Sequence, residues 1–349
     1  MFLVICFLDL IILLVMDFML NVDIKKPEEQ IGYRDKILLI GSCFTEHIGN
    51  ALQDLKFSVL QNPNGILFDP ASVCKSLQSY ITNYKYKEED LFLLNEVWNS
   101  WSHHSRFSHI NKDECLKGIN QSQQRAHEFL RETDWLIITL GSSFSYRLTG
   151  LTPNPFPGGV GSGVANCHRA PSQWFDKHLL EIEETKSLIE EMYHQLIKFN
   201  PKLKIIYTIS PVRHIRDGVV ENNRSKARLI EAVHSMINNS SNQFYFPAFE
   251  LVVDVLRDYR FYDVDMVHPN YPATEYVMEK FKENFIDSAS QLFMEEIKNI
   301  VIARKHKAFQ PDTKAHRSFL KTYLEKTNDL QSKLPYLDFS DEINYFKSV

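Results

Sequence analysis

Five short apolar runs constrain this chain more than any other feature: Ile37 to Ile40, Phe57 to Leu60, Trp135 to Leu140, Lys204 to Ile209 and Phe244 to Phe246. Each is too short for a helix and too continuously apolar for a strand with one face in water, so each reads as a strand buried on both faces. Between them, Leu179 to Phe199 and Lys226 to Ile237 carry apolar residues at helical spacing, the first stopping at Asn200-Pro201, where a proline disfavours further helix. Strands alternating with helices predict a parallel sheet covered by helices on both faces.

Ligands of such sheets bind at the carboxyl ends of the strands. There the chain places Gly41-Ser42-Cys43, Asn62-Pro63-Asn64-Gly65 and Gly141-Ser142-Ser143, then a Pro/Gly-rich excursion over 152–164 that leads to Asn166-Cys167-His168-Arg169. Ser210-Pro211-Val212-Arg213-His214 follows the fourth strand, and Asp265-Met266-Val267-His268 lies beyond the fifth. An Asp three residues before a His lets the carboxylate fix one imidazole nitrogen while the other faces a nucleophile. Ser42 and Cys43 are the candidates: Gly41 permits a sharp bend after the first strand, and Ile48, Leu52 and Leu55 mark a helix just beyond. Backbone N–H groups at a helix start favour a thiolate or an oxyanion.

Composition narrows the function. With 349 residues, 44% hydrophobic, the chain can bury one large core, and a formal net charge of −5 offers no basic footprint for nucleic acid. Cys6, Cys43, Cys74, Cys115 and Cys167 form no C-x-x-C pair, so neither a zinc ribbon nor a disulfide framework is indicated, and a reducing, cytoplasmic location is expected. His103, His104 and His109 cluster without companions at ligand spacing, and no metal is expected there. Residues 1–20 are strongly apolar but hold Asp9 and Asp17 and no basic residue ahead of the apolar stretch. They fit a signal peptide poorly and leave open a mistaken start at Met16 or Met19, or a membrane anchor.

The strings Ile40-Gly41-Ser42-Cys43-Phe44, Asn62-Pro63-Asn64-Gly65-Ile66-Leu67, Thr139-Leu140-Gly141, Asn166-Cys167-His168, Ser210-Pro211-Val212-Arg213-His214 and Asp265-Met266-Val267-His268-Pro269 together resemble the GSCFA family, a relative of the SGNH/GDSL hydrolases. The resemblance implies a flavodoxin-like three-layer α/β/α fold with a five-stranded parallel sheet over 20–290, a helical tail over 291–349, and residues 1–19 outside the match. It implies His268 as general base, Asp265 as its orienting carboxylate and Gly65 as an oxyanion donor, each such donor being worth ~3 kcal/mol in acyl transfer. A gapless register makes Cys43 the nucleophile; a shift of one residue makes it Ser42. The Asn expected in a Gly-x-Asn motif after the third strand is replaced by Ser143, so Ser143 or Asn166 would have to supply that donor.

Arg213 and His214 could bind an anionic part of the substrate, or Arg213 could pair with Asp217 or Glu221. His168 and Arg169 could line a lid over the cleft. Asp254, Asp258 and Asp263 read as a solvated helix face, the stretch 83–131 as an insertion helical in part. The function expected is hydrolysis of a small-molecule or saccharide ester through a Cys (or Ser)-His-Asp triad, with no cofactor. The alternatives are acyl transfer on the same fold, or a saccharide- or peptidoglycan-binding module without chemistry.

Overall fold

The computed structural model describes residues 19–152, 157–237 and 241–347; the expectations for residues 1–18 lie outside them. The central sheet comprises β1 (Lys36–Gly41), β2 (Ser58–Gln61), β3 (Trp135–Leu140), β4 (Lys204–Ile209) and β5 (Gln243–Phe246). Every pairing is parallel and the spatial order is β2-β1-β3-β4-β5. This is the doubly wound order in which the switch of direction, between β1 and β3, opens a crevice at the carboxyl edge.

Alternate residues of each strand feed two cores. Ile37, Leu39, Ile137, Ile206 and Phe246 face α1 (Cys43–Asp54) and the C-terminal helices, while Leu38, Ile40, Leu136, Ile138 and Tyr207 face α2 (Pro70–Thr82), α4 (Ile182–Phe199) and α5 (Val219–Ile237). Full burial of each such aliphatic side chain stabilises the fold by roughly 1.5–3 kcal/mol. The helix α3 (Lys112–Glu132) completes the second layer through Ala126 and Leu130.

The α/β domain closes with α6 (Tyr271–Phe285), and the tail adds α7 (Ser288–Lys305), α8 (Lys314–Lys333) and α9 (Ser340–Lys347), all contributing to the first core. It is fastened by Glu342, 1% exposed, which accepts from Lys56 at 2.7 Å and from Arg304 at 3.0 Å. A carboxylate buried to that degree is tolerable because both oxygens meet a cation. Among the described residues, no helix is long and apolar enough to cross a membrane.

The outer segments hold more strand than the sequence suggested, although the insertion is helical in part as expected. The insertion holds an antiparallel hairpin, Phe92–Leu94 with Val97–Asn99, ahead of its helix. The excursion after β3 is a three-stranded antiparallel sheet of Phe144–Leu148, Gly163–Val164 and Phe175–Leu179. Its last strand ends where a helix was expected to start, so α4 begins only at Ile182, with Glu184 closing a capping box. The acidic stretch is not one solvated helix face: Leu251–Leu256 is a π-helical turn and Tyr259–Phe261 a separate 3-10 turn, with Asp258 paired to Arg260 at 3.0 Å.

Candidate active site

Three features of sequence build the floor of the site. Gly41 ends β1 at φ +146°, and a Cβ there would collide with Thr139 O, so the bend into α1 requires glycine. Ser42 then caps α1, its Oγ accepting from Phe44 N at 3.3 Å, and its own N–H donates to Thr139 O at 3.1 Å. Gly141, at the end of β3, lies against this turn: a Cβ on it would stand 2.9 Å from Phe68 Cβ, 3.0 Å from His214 Nε2 and 3.3 Å from Ser42 Cβ. Backbone bonds seal the floor, Leu67 N to Gly41 O at 3.0 Å and Gly141 N to Phe68 O at 2.7 Å.

Of the two candidate nucleophiles, Ser42 is 1% exposed and its hydroxyl serves as the cap. Cys43, the first residue of α1, is only partly buried. Burial pushes the Cys43 thiol up; the N–H groups of Phe44 and of Cys43 itself and the charge of Lys226 pull it down, while Glu46 pushes up. Burial wins, so the Cys43 thiol ionises less readily than a free one despite its place at a helix start.

The Asp265 and His268 pair stands on a turn of different make. His268 Nδ1 lies 2.6 Å from Asp265 Oδ2, and Asp265 Oδ1 accepts from the N–H groups of Val267 at 2.9 Å and His268 at 3.0 Å. The His268 hydrogen bond, followed by the two backbone donors, holds the Asp265 carboxyl down at about 2. Charge assistance and this short contact fix the imidazole with Nε2 free to accept a proton. Asp263 N donates to His268 O at 2.8 Å and closes the turn. His268 lies near enough to help lower both His47 and His214, in each case after burial, with Lys226 ranking between burial and His268 for His214, which falls to about 4. His214, whose Nε2 lies beside Gly141 as Ser42 does, thus connects the neighbourhood of the dyad to the turn after β1.

Several expected site residues have other work. Arg213 pairs with neither Asp217 nor Glu221: its backbone N–H donates to Val267 O at 3.2 Å, its Nη1 to Met266 O at 3.0 Å, and its guanidinium lies 4.0 Å above the Tyr262 ring. It braces the turn that carries His268. His214 keeps a buried Nε2 without a partner beside Gly141, and its backbone N–H is held by Asn222 Oδ1 at 2.8 Å. Ser143 cannot serve as an oxyanion donor, because it is fully buried, with N bonded to Ser225 Oγ at 2.7 Å and Oγ to Ser225 O at 3.1 Å. The Gly65 N–H is likewise engaged, with Asn62 O at 2.7 Å. That glycine is needed for its φ of +81° and for the close approach of His104.

Asn166 Oδ1 accepts from His168 N at 2.9 Å, and His168 Nε2 contacts Ser100 O at 2.8 Å within the Phe92 and Trp101 aromatic cluster; Arg169 is exposed beside it. The three clustered histidines part company: His103 is fully buried and held near 3, chiefly by desolvation, His104 caps a 3-10 turn, and His109 is exposed. Among the described residues no group of His, Cys, Asp and Glu could hold a metal ion.

The residue that sequence reasoning missed is Lys226. It is 1% exposed and donates from Nζ to Gly141 O and Ser210 O, both at 2.6 Å. A signal was present: Lys226 falls on the same stripe of α5 as Ser225, Leu229, Ala232 and Val233, where a lysine has no solvent to reach.

A family model described as "GSCFA family" matches residues 36–281, and one described as "GSCFA domain protein, C-terminal domain" matches residues 297–348. No curated protein gives a significant match. Among solved structures, a carbohydrate esterase family 3 from Talaromyces cellulolyticus aligns at 8% identity and a TM-score of 0.35, covering 76% of this chain and 99% of that one. The acetyl xylan esterase Est2A from the rumen bacterium Butyrivibrio proteoclasticus aligns at 12% identity and the same TM-score of 0.35, covering 73% and 66%. Likeness at that level does not extend to activity or substrate.

Proposed function

The chain belongs to the GSCFA family, and from that premise we propose that it is an SGNH-type hydrolase of small-molecule or saccharide esters, with Cys43 as nucleophile, His268 as base and Asp265 as the carboxylate that orients it. The observation that carries the reading is the 2.6 Å contact between His268 Nδ1 and Asp265 Oδ2, made by a carboxylate that is itself held by two backbone N–H groups, on a turn bonded to Arg213 beyond the end of β4. A surface ion pair has no need of such orientation; a base that must present one chosen nitrogen does.

In the reaction, His268 Nε2 takes the Cys43 proton as Sγ attacks the ester carbonyl, and the charge on the carbonyl oxygen is met by the Cys43 N–H at the start of α1, its neighbours Ser42, Phe44 and Thr45 having theirs bonded within the turn and to Thr139 O. Collapse of the tetrahedral adduct breaks the ester C–O bond, His268 returns the proton to the departing alkoxide, and the acyl group remains on sulfur as a thioester. Water, deprotonated by His268, then attacks the thioester, releasing the acid and restoring the thiol. The raised pKa of Cys43, caused first by burial, is compatible with this order, because the proton leaves during attack rather than before it.

Hydrolysis of p-nitrophenyl acetate by the parent, Cys43→Ala, Ser42→Ala and His268→Ala tests the assignment. Turnover lost in the Cys43 and His268 variants and kept in Ser42→Ala supports it; loss in Ser42→Ala with Cys43→Ala active moves the nucleophile one residue. Turnover indifferent to His268 removes the hydrolase and leaves the binding module.

A further inference from the structure

A groove of about 360 Å³ lies between α1, α6 and α7. Its floor is apolar, made by Phe44, Ile48 and Leu55 of α1, Met278 of α6 and Val301 of α7. Two of these helices begin at the carboxyl edge of the sheet: Cys43 is the first residue of α1, and α6 starts at Tyr271, three residues after His268. Both run back toward the amino edge, α1 leading into β2 and α6 ending at Phe285, whose carbonyl accepts from Ile31 N at 2.7 Å shortly before β1. Along α1 the residues Cys43, His47, Asn50 and Asp54 stand at the spacing of one helix face, and the last three of them line the groove. Cys43 also packs against the cluster to which all five floor residues belong. The candidate nucleophile therefore stands at the head of the groove.

We propose that the substrate is an ester of an extended apolar acid, and that this groove seats its acyl chain, running from the carbonyl at Cys43 toward Lys282. The assignment rests on the reading of Cys43 as nucleophile. Length fits a chain: between Tyr271 and Lys282, the first and last groove residues of α6, the helix rises about 16 Å. The approach fits an amphiphile, because the turn that carries His268 exposes Val264 fully and Met266 by 49%, and Tyr271 at the groove's head by 72%. Charge is kept to the rim, where Lys298 pairs with Glu275 at 3.9 Å and Lys305 with Asp54 at 2.6 Å. Each methylene laid on the floor leaves water, whereas the half-buried Lys282 offers an apolar chain nothing and so sets the length the groove accepts.

The test is kcat/KM for p-nitrophenyl acetate, butyrate, octanoate, decanoate and palmitate, in the parent and in Ala51→Trp, Thr274→Trp and Lys282→Met, with thermal melts alongside. Ala51 and Thr274 are half-buried groove residues, one on each flanking helix, so the second carries the comparison should the first fail to fold. Expected in the parent is a rise of about a hundredfold from acetate to decanoate and a fall at palmitate. Either tryptophan should cut the decanoate-to-acetate ratio about tenfold or more, and Lys282→Met should move the optimum toward palmitate. A flat series in the parent, or a ratio untouched in both folded tryptophan variants, would overturn the proposal. Calorimetry of decanoate with Cys43→Ala reads the groove without chemistry, and Ala51→Trp added to that variant should weaken binding about tenfold. Decanoate bound there, with no ester of any length turned over by the parent, keeps the acyl groove and removes the hydrolase reading. No decanoate binding removes the groove whatever the esters do.

Discussion

Around Cys43 the backbone is bound from every side: Ser42 N to Thr139 O, Leu67 N to Gly41 O, Gly141 N to Phe68 O, and Gly41 N to Asn62 Oδ1 at 2.9 Å. Around His268 the chain is half in water, with 44% of the His268 and 46% of the Asp265 side chain exposed, and it holds its shape through the Asp265 bonds and the Arg213 brace. The first region is stiff because glycines let strand, turn and helix approach closely; the second is a surface turn stabilised by a few polar contacts. The contrast divides the chemistry. On the proposed reading, a stiff, desolvated floor fixes where the sulfur is but raises the cost of ionising it, and a solvated dyad would supply a base whose charged form water tolerates.

Substitutions in the exposed turn should cost activity and spare the fold, and the largest effect is expected at the dyad itself. His268→Ala should lower kcat/KM for an activated ester about a thousandfold or more, and Asp265→Asn by a factor approaching that, with melting temperatures close to the parent's. Because Asp265 stays ionised down to about pH 2, the acid limb of an activity profile above pH 4 should be unaltered by events at that carboxyl. A coincident loss of fold in either variant would erase the distinction between the two regions.

Substitutions in the stiff floor should do the reverse. Gly41→Ala forces a Cβ into Thr139 O at a φ of +146° and should destabilise the protein by about 3 kcal/mol or more, read as a lowered midpoint in urea. Full stability in that variant would mean the floor is softer than its packing indicates.

Two smaller effects sharpen the comparison. Arg213→Met removes the Nη1 bond to Met266 O while keeping bulk over Tyr262, and should cut kcat/KM about tenfold for a stability change under about 1 kcal/mol. Asp69, which caps α2 next to Phe68, is fully buried and raised to about 6, first by desolvation. Its folded value lies above its unfolded one, so the folded state gains from protonation: that stability is present at low pH and lost as pH rises from about 4 to about 6. Asp69→Asn should therefore stabilise by about 1–3 kcal/mol at pH 8 and by little at pH 4, measured by urea unfolding at both. A gain of equal size at both pH values would assign the effect to something other than the buried charge.

The sheet was legible because its strands are apolar on both faces, a pattern that Trp135 to Leu140 shows without interruption. The Phe144–Leu148 and Phe175–Leu179 strands were not, since their sequences, FSYRL and FDKHL, alternate weakly and sit among turn residues. At the site, the Asp265 to His268 spacing predicts a contact whose partners lie within one turn of chain. The role expected of Ser143 failed for a different reason: a motif position carries residue type, not burial, and only the structure shows Ser143 sealed against Ser225. Arg213 illustrates the same limit, because its carbonyl acceptor, Met266, lies 53 residues away and carries no side-chain signature.

The most direct measurement is to mix the protein with an aryl ester, quench in acid within the first turnovers, and map the acyl group by peptide mass. An acyl adduct on Cys43, present in the parent and absent in His268→Ala, is the predicted result. An adduct on Ser42, or turnover of the ester with neither residue acylated, would contradict the account.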